Sequence, residues 1–261
     1  MIPLLLILFG LTLGSFVNAF VWRLKHKKDW VRGRSECPHC GHQLGALDLI
    51  PVLSWVLLKG RCRYCHKKIE DSPLVELILP ILFVVSYLFW PVSLSGAGLI
   101  EFVFWLVFLV WFLALAVYDL RWFILPNKVV FPLIGLAVLQ TVTLSVYLMR
   151  VEVIIHALIG AAVVAGIFYL LFQISKGTWI GGGDVKLGIV LGLLAGGLLE
   201  SFLLLFIASL AGMIAALPLI LKGQAHRKTQ LPFGPFLIIG LVVVKLFGAV
   251  IINWYSSLFY V

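Results

Sequence analysis

The sequence predicts an all-α polytopic membrane protein of about eight transmembrane helices, with a small zinc-binding insert between the first two. Three observations carry this. Hydrophobic residues make up 62% of the 261-residue chain and charged residues 12%, against roughly 45–50% and 25% in soluble domains. The apolar residues fall into runs near the roughly 20 needed to cross a bilayer as a helix. All four cysteines sit in the one sizeable polar stretch. The same composition excludes a soluble globular domain, a disordered chain, a fibre and a disulfide-rich secreted scaffold. A net charge of +9 would suggest nucleic acid in a soluble protein. In a membrane protein it reflects basic residues gathered on the cytoplasmic side, so no nucleic-acid partner is expected.

The apolar segments are residues 2–22, 74–90, 99–118, 129–149, 153–174, 185–199, 202–221 and 236–260. The first has no basic residues before it and several after it, which argues for a retained helix rather than a secretory signal. Lysine and arginine set the orientation. Eleven lie between the first and second segments, from Arg23 to Lys68. Others follow the third (Arg121, Lys128), the fifth (Lys176, Lys186) and the seventh (Lys222, Arg227, Lys228). Eighteen of the twenty thus fall in alternate loops, leaving Arg150 opposite and Lys245 within the last segment. This alternation places those loops in the cytoplasm and both termini outside. Gly188, Gly192 and Gly196 recur every four residues in the sixth segment, as do Gly10 and Gly14 in the first. Small residues at that spacing allow close helix packing. The expected organisation is a first helix over 1–22, a cytoplasmic insert over 23–73 and a seven-helix membrane domain over 74–261.

The insert carries Cys37-Pro-His-Cys40 and Cys62-Arg-Tyr-Cys65, separated by twenty-one residues. Two such knuckles match a tetrahedral four-thiolate zinc site. Each offers two sulfurs from one tight turn, and Gly41 and His66 follow where those turns bend. Paired disulfides are the competing reading, but a cytoplasmic location disfavours them. A redox motif would need only one pair. His39, His42 and His66 are nearby substitutes, but four cysteines already close the shell, which implies a structural metal. The surrounding basic residues suit anionic lipid headgroups.

Only eleven residues are acidic. Asp29, Glu36, Asp48, Glu70 and Asp71 belong to the insert. Glu101, Glu152 and Glu200 fall at outer helix ends, where solvated interface residues are the ordinary case. Glu76, Asp119 and Asp184 lie at cytoplasmic helix ends, and ionisable groups at membrane depth are costly and usually functional. Asp119 closes the third segment, and Asp184 opens the sixth after Gly181-Gly182-Gly183. Two aspartates at one depth can share a proton, one serving as acid and one as base. Such a pair activates water and protonates a leaving amine, which is peptide hydrolysis. The third helix is expected to pack on the sixth and bring the Asp119 and Asp184 carboxylates within water-bridging reach.

At this point the chain resembles the type IV prepilin peptidase family, the bifunctional leader peptidases and N-methyltransferases of pilus, type II secretion and competence systems. Gly14-Ser15-Phe16-Val17-Asn18 followed by Arg23 looks like the family's N-terminal motif. Ile50-Pro51-Val52-Leu53-Ser54-Trp55 matches the stretch between the cysteine pairs, and Pro73-Leu74-Val75-Glu76-Leu77 the entry to the second helix. Asp119 and Gly181-Gly182-Gly183-Asp184-Val185-Lys186-Leu187 match the two aspartate motifs, the second of G-x-G-D type. Pro232-Phe233-Gly234-Pro235 matches the motif before the last helix. Departures are Leu-Lys-His after Arg23, Asn127 after Pro126 and Trp179 where glycine is common. None touches the aspartates or cysteines.

The resemblance implies a hydrolase of the bacterial cytoplasmic membrane that removes the basic leader of prepilins and pseudopilins at its cytoplasmic face. It implies N-methylation of the new first residue, with S-adenosylmethionine as methyl donor. Asp119 and Asp184 are then the catalytic aspartates, and Cys37, Cys40, Cys62 and Cys65 the zinc ligands. Glu76 is the candidate for orienting the new amine. Two other readings compete. A presenilin-like intramembrane aspartic protease leaves the cysteine-rich insert without a role. A transporter or assembly scaffold, with a zinc hook and two proton-relay aspartates, cuts no peptide bond.

Overall fold

The computed structural model describes residues 1–30, 33–69, 71–223 and 231–258. Arg32, Glu70, Arg227, Lys228 and the expected end of the last segment at residue 260 lie outside them. The described residues are helical, with no strand beyond two isolated bridges. The eight expected segments are all helices, α1 (Ile2–Lys25), α3 (Pro73–Leu88), α4 (Ala97–Trp122), α5 (Asn127–Leu148), α6 (Glu152–Ser175), α7 (Gly182–Ala195), α8 (Leu198–Leu221) and α9 (Gly234–Ser257). A short α2 (Leu53–Leu57) follows a single 3₁₀ turn (Ala46–Leu49) in the insert.

Six of these helices are long and apolar enough to cross a membrane, which makes this a multi-pass membrane protein. The 16-residue α3 and the 14-residue α7 measure about 24 and 21 Å at 1.5 Å per residue. They fall short of a hydrocarbon core about 30 Å thick, so eight full spans are not established. The start and stop of α7 account for its length. Glycines precede it, and it ends on Gly196, whose φ of +80° terminates a helix. Outward faces remain apolar, as lipid requires. Phe206, Leu170 and Val250 are each at least 60% exposed to the surroundings of the protein.

The chain forms two compact units, one of residues 1–88 and 106–117 and the other of 89–105 and 118–261. In the first, α1 packs along α3. Gly10 faces the backbone of Pro80, and a Cβ on Gly14 would lie 2.7 Å from the Glu76 Cα. Phe16 and Phe20 of α1 meet the Trp111 ring edge-on, at 6.5 and 5.2 Å between centroids.

In the second unit α7 is the central helix. It packs on α6, α5 and α9, and α8 packs on α9. A Cβ on Gly188 would meet the Ala165 Cα at 3.3 Å, and one on Gly192 the Ala161 Cα at 2.6 Å. Two of the three spaced glycines therefore serve the α6 contact, while Gly196 is the helix stop. Leu187, Leu191, Leu237 and Leu241 fill the core of this unit without exposure. Glu101 is not a plain solvated end. It pairs with Lys245 of α9 at 2.5 Å, and Lys245 also donates to the Leu194 carbonyl at 3.3 Å. A charge within a membrane helix needs such partners.

Candidate active site and metal centre

Asp119 lies in the last turns of α4 and is 5% exposed. The first N–H groups of a helix have no partner inside it, and one of these, from Gly234 at the start of α9, donates to Asp119 Oδ2 at 3.1 Å. A Cβ on Gly234 would stand 2.8 Å from that oxygen, so a larger residue would displace the carboxylate or the start of α9. Asp184 lies in the first turn of α7 and accepts from the Gly181 N–H at 3.3 Å, capping the helix. Leu125 sits between the two motifs, because Cβ atoms on Gly183 and Gly234 would meet its side chain at 3.0 and 3.4 Å. The carboxylates of Asp119 and Asp184 interact electrostatically. Loop and helix-end geometry thus gathers the two motifs around Leu125. Lys186, one turn into α7, donates to Asn127 Oδ1 at 2.9 Å. The asparagine that departs from the family pattern therefore has a partner beside the aspartates.

The cysteine knuckles share one geometry. The Cys37 N–H donates to the His42 carbonyl at 2.9 Å, and the Cys37 carbonyl accepts from Gly41 at 2.9 Å. Cys62 repeats this with Lys67 and His66, at 2.9 and 3.0 Å. Gly41 and His66 both take left-handed φ, +70° and +56°, and so bend the chain where the sequence places the bends. All four sulfurs lie within 4.8 Å of one another, and the cysteines are unpaired. This donor set fits a single soft cation such as zinc. Burial opposes ionisation of Cys37, but the N–H groups of Cys40 and His39 and the neighbouring thiols bring it down to about 7. The Lys67 N–H favours the Cys65 thiolate, yet burial and three thiol neighbours push it up to about 11. Crowded thiols shed their first proton readily and their last with difficulty unless a cation is bound.

Asp48 braces this insert. Its carboxylate takes Arg63 Nε at 2.7 Å, the Gly45 N–H at 3.1 Å and the Tyr64 hydroxyl at 3.3 Å. Burial alone would raise its pKa, but these partners hold it below the ordinary carboxylate range.

Glu76 belongs to the same unit as the cysteines, while both aspartates belong to the other. It stands in the first turn of α3 and accepts the Val52 N–H at 2.6 Å. Val52 holds φ at +62° to do so, a strained state for a β-branched residue. Glu76 lines a cavity of about 520 Å³, whose wall also includes Asn18, Trp55, Cys37 and Cys62. Gly234, Leu125, Asn18 and Trp55 were not expected at the sites. Three of them stand inside motifs visible in the sequence, but their contacts are not.

Residues 8–90 match the bacterial peptidase A24 N-terminal domain, and residues 106–217 match the type IV leader peptidase family. A prepilin leader peptidase/N-methyltransferase from Aeromonas salmonicida (strain A449) is 32% identical over 97% of this chain and 93% of its own length. One from Bacillus subtilis (strain 168) is 30% identical over 97% and 98%. One from Dichelobacter nodosus is 31% identical over 93% and 90%. No solved structure matches the chain significantly.

Proposed function

Since this chain belongs to the type IV leader peptidase family, we propose that it cleaves the leader of type IV prepilins and pseudopilins and N-methylates the residue exposed. The observation that carries the peptidase half is the electrostatically linked pair of Asp119, oriented by the Gly234 N–H, and Asp184, oriented by Gly181. One carboxylate is ionised and takes a proton from a water as it attacks the scissile carbonyl. The other is protonated and delivers its proton to the leaving amine. Close like charges favour this division of roles.

The other half resides in the unit holding the insert. Cys37, Cys40, Cys62 and Cys65 hold a structural zinc, with no open position for chemistry. S-adenosylmethionine supplies an electrophilic methyl group when bound. Glu76 accepts a hydrogen bond from the new amine and takes the proton that nitrogen must lose. The setting is the bacterial cytoplasmic membrane with its lipids. Eighteen of twenty lysines and arginines in alternate loops support both termini outside and the active site facing the cytoplasm. The parts are a first helix over 1–22, a zinc insert over 23–73 and a membrane peptidase domain over 74–261.

The test is incubation of the purified protein with a prepilin and S-adenosylmethionine, read by mass spectrometry. The expected product is a pilin lacking its leader and carrying one added methyl. An uncut pilin, with folded enzyme present, would overturn the peptidase reading.

A further inference from the structure

The cavity beside the cysteine knuckles has a feature that the metal and the peptidase chemistry leave unused. Asn18 is 6% exposed, and its Nδ2 donates to the Ser72 carbonyl at 3.3 Å, but its Oδ1 has no hydrogen-bond partner among the described residues. The indole Nε1 of Trp55 is likewise buried and unpartnered. Both residues line the same cavity. A buried polar atom without a partner is costly, and two in one cavity wall, one acceptor and one donor, point to a polar ligand that completes them.

The rest of the lining narrows the ligand class. About 520 Å³ lies within the range of small-molecule sites. Trp55 gives an aromatic face and Glu76 a carboxylate, which together suit a cation with an apolar body, while the Trp22 ring in the same wall stacks on His26 and carries the Lys28 ammonium. Arg23, which donates to the Trp30 carbonyl at 3.4 Å and Ser35 Oγ at 3.3 Å, brings a guanidinium to the same wall and suits a carboxylate. An adenosyl sulfonium amino acid carries all of these: a heteroaromatic ring with donors and acceptors, a fixed positive charge and a carboxylate. We propose that this cavity, walled by Asn18, Trp22, Trp55 and Glu76, holds the S-adenosylmethionine methyl donor. The proposal rests on the methyl-transfer reading above and adds the site. Cys37 and Cys62 are part of the same wall, so the metal centre shapes the pocket and takes no part in the transfer.

The experiment uses the full chain in lipid nanodiscs. S-adenosylhomocysteine is titrated by calorimetry into wild type, Trp55→Phe and Asn18→Leu. Wild type binds one equivalent, and each variant, at wild-type zinc content and melting temperature, binds at least ten-fold more weakly. Trp55→Phe keeps an aromatic ring in the wall and removes the indole N–H with the second ring, so equal zinc content and melting temperature are required of it. In parallel, ultraviolet crosslinking of methyl-labelled donor to wild type, followed by proteolysis, places the label within residues 15–76 whatever the variants do to folding. Variants that bind like wild type, or label recovered from residues 89–258, overturn the site while the enzyme still methylates a cleaved pilin. A wild-type protein that neither binds S-adenosylhomocysteine nor methylates overturns both the site and the reading beneath it. Crosslinking in the cavity by a pilin peptide, without the donor label, assigns the cavity to substrate and overturns the proposal.

Discussion

The proteolytic chemistry is proposed to rest on two side chains, whose replacement is separable from folding. Asparagine is nearly isosteric with aspartate but cannot relay a proton. Asp119→Asn and Asp184→Asn should each lower prepilin cleavage by about 10²–10⁴-fold, with melting temperatures close to wild type, in a timed cleavage assay. Full cleavage by either variant at wild-type abundance would remove that residue from the mechanism. Gly234→Ala is a subtler probe. Its methyl would crowd Asp119 Oδ2 at 2.8 Å, so the carboxylate or the start of α9 must shift. Cleavage should fall about ten-fold or more, as misplacement of a catalytic group does. Glu76→Gln should spare cleavage and lose methylation, measured as the ratio of methylated to unmethylated cut pilin. Equal methylation would discard the role given to Glu76 and leave the peptidase intact.

At the level of elements, the insert is held by its two knuckles and by Asp48. Cys62→Ser should lower bound zinc from one equivalent to near none by elemental analysis, because three thiolates no longer close the shell. It should also expose the insert to proteolysis, since the metal contributes folding energy there. Asp48 ties the 3₁₀ turn to the second knuckle through Arg63 and Tyr64. Its pKa is lowered from 3.8 in the folded state, so its contribution is complete above that ordinary value and fades as pH falls through the lower folded value. Arg63 is 47% exposed, so solvent screening keeps the contribution to about 0.5–1 kcal/mol. Asp48→Asn should lower the melting temperature of the insert at neutral pH and match wild type in strong acid. A deficit that persists unchanged at pH 2 would show that packing, not charge, is what Asp48 provides.

For the whole molecule, the two compact units separate the chemistry. Asp119 and Asp184 belong to one, and Glu76 with the four cysteines to the other. The aspartate variants should therefore still methylate a pilin supplied already cut, measured by transfer of labelled methyl. The orientation proposed from charge has the basic loops inside. A phosphatase reporter at the C-terminus should be active outside the cytoplasm, and one joined within the insert should be silent. The reverse pattern would invert the topology and place the aspartates on the wrong face for a basic leader.

Composition alone determined the class of this protein, because no water-soluble fold can hide so high a share of apolar residues. Spacing marked the cysteine cluster, since C-x-x-C fixes two sulfurs on one turn whatever surrounds it. The helix ends carrying Asp119 and Asp184 were legible too, because charges are rare in lipid-facing sequence and stand out. Tertiary structure decided what depends on distance across the chain. Helix lengths of 16 and 14 residues for α3 and α7 depend on where the chain bends, and hydropathy does not mark bends sharply. The Gly234 N–H that orients Asp119 comes from 115 residues away, and no local pattern encodes that pairing. The same holds for Asn18 and Trp55. Their types suit many settings, and only folding shows that both are buried, lack partners among the described residues and line one cavity.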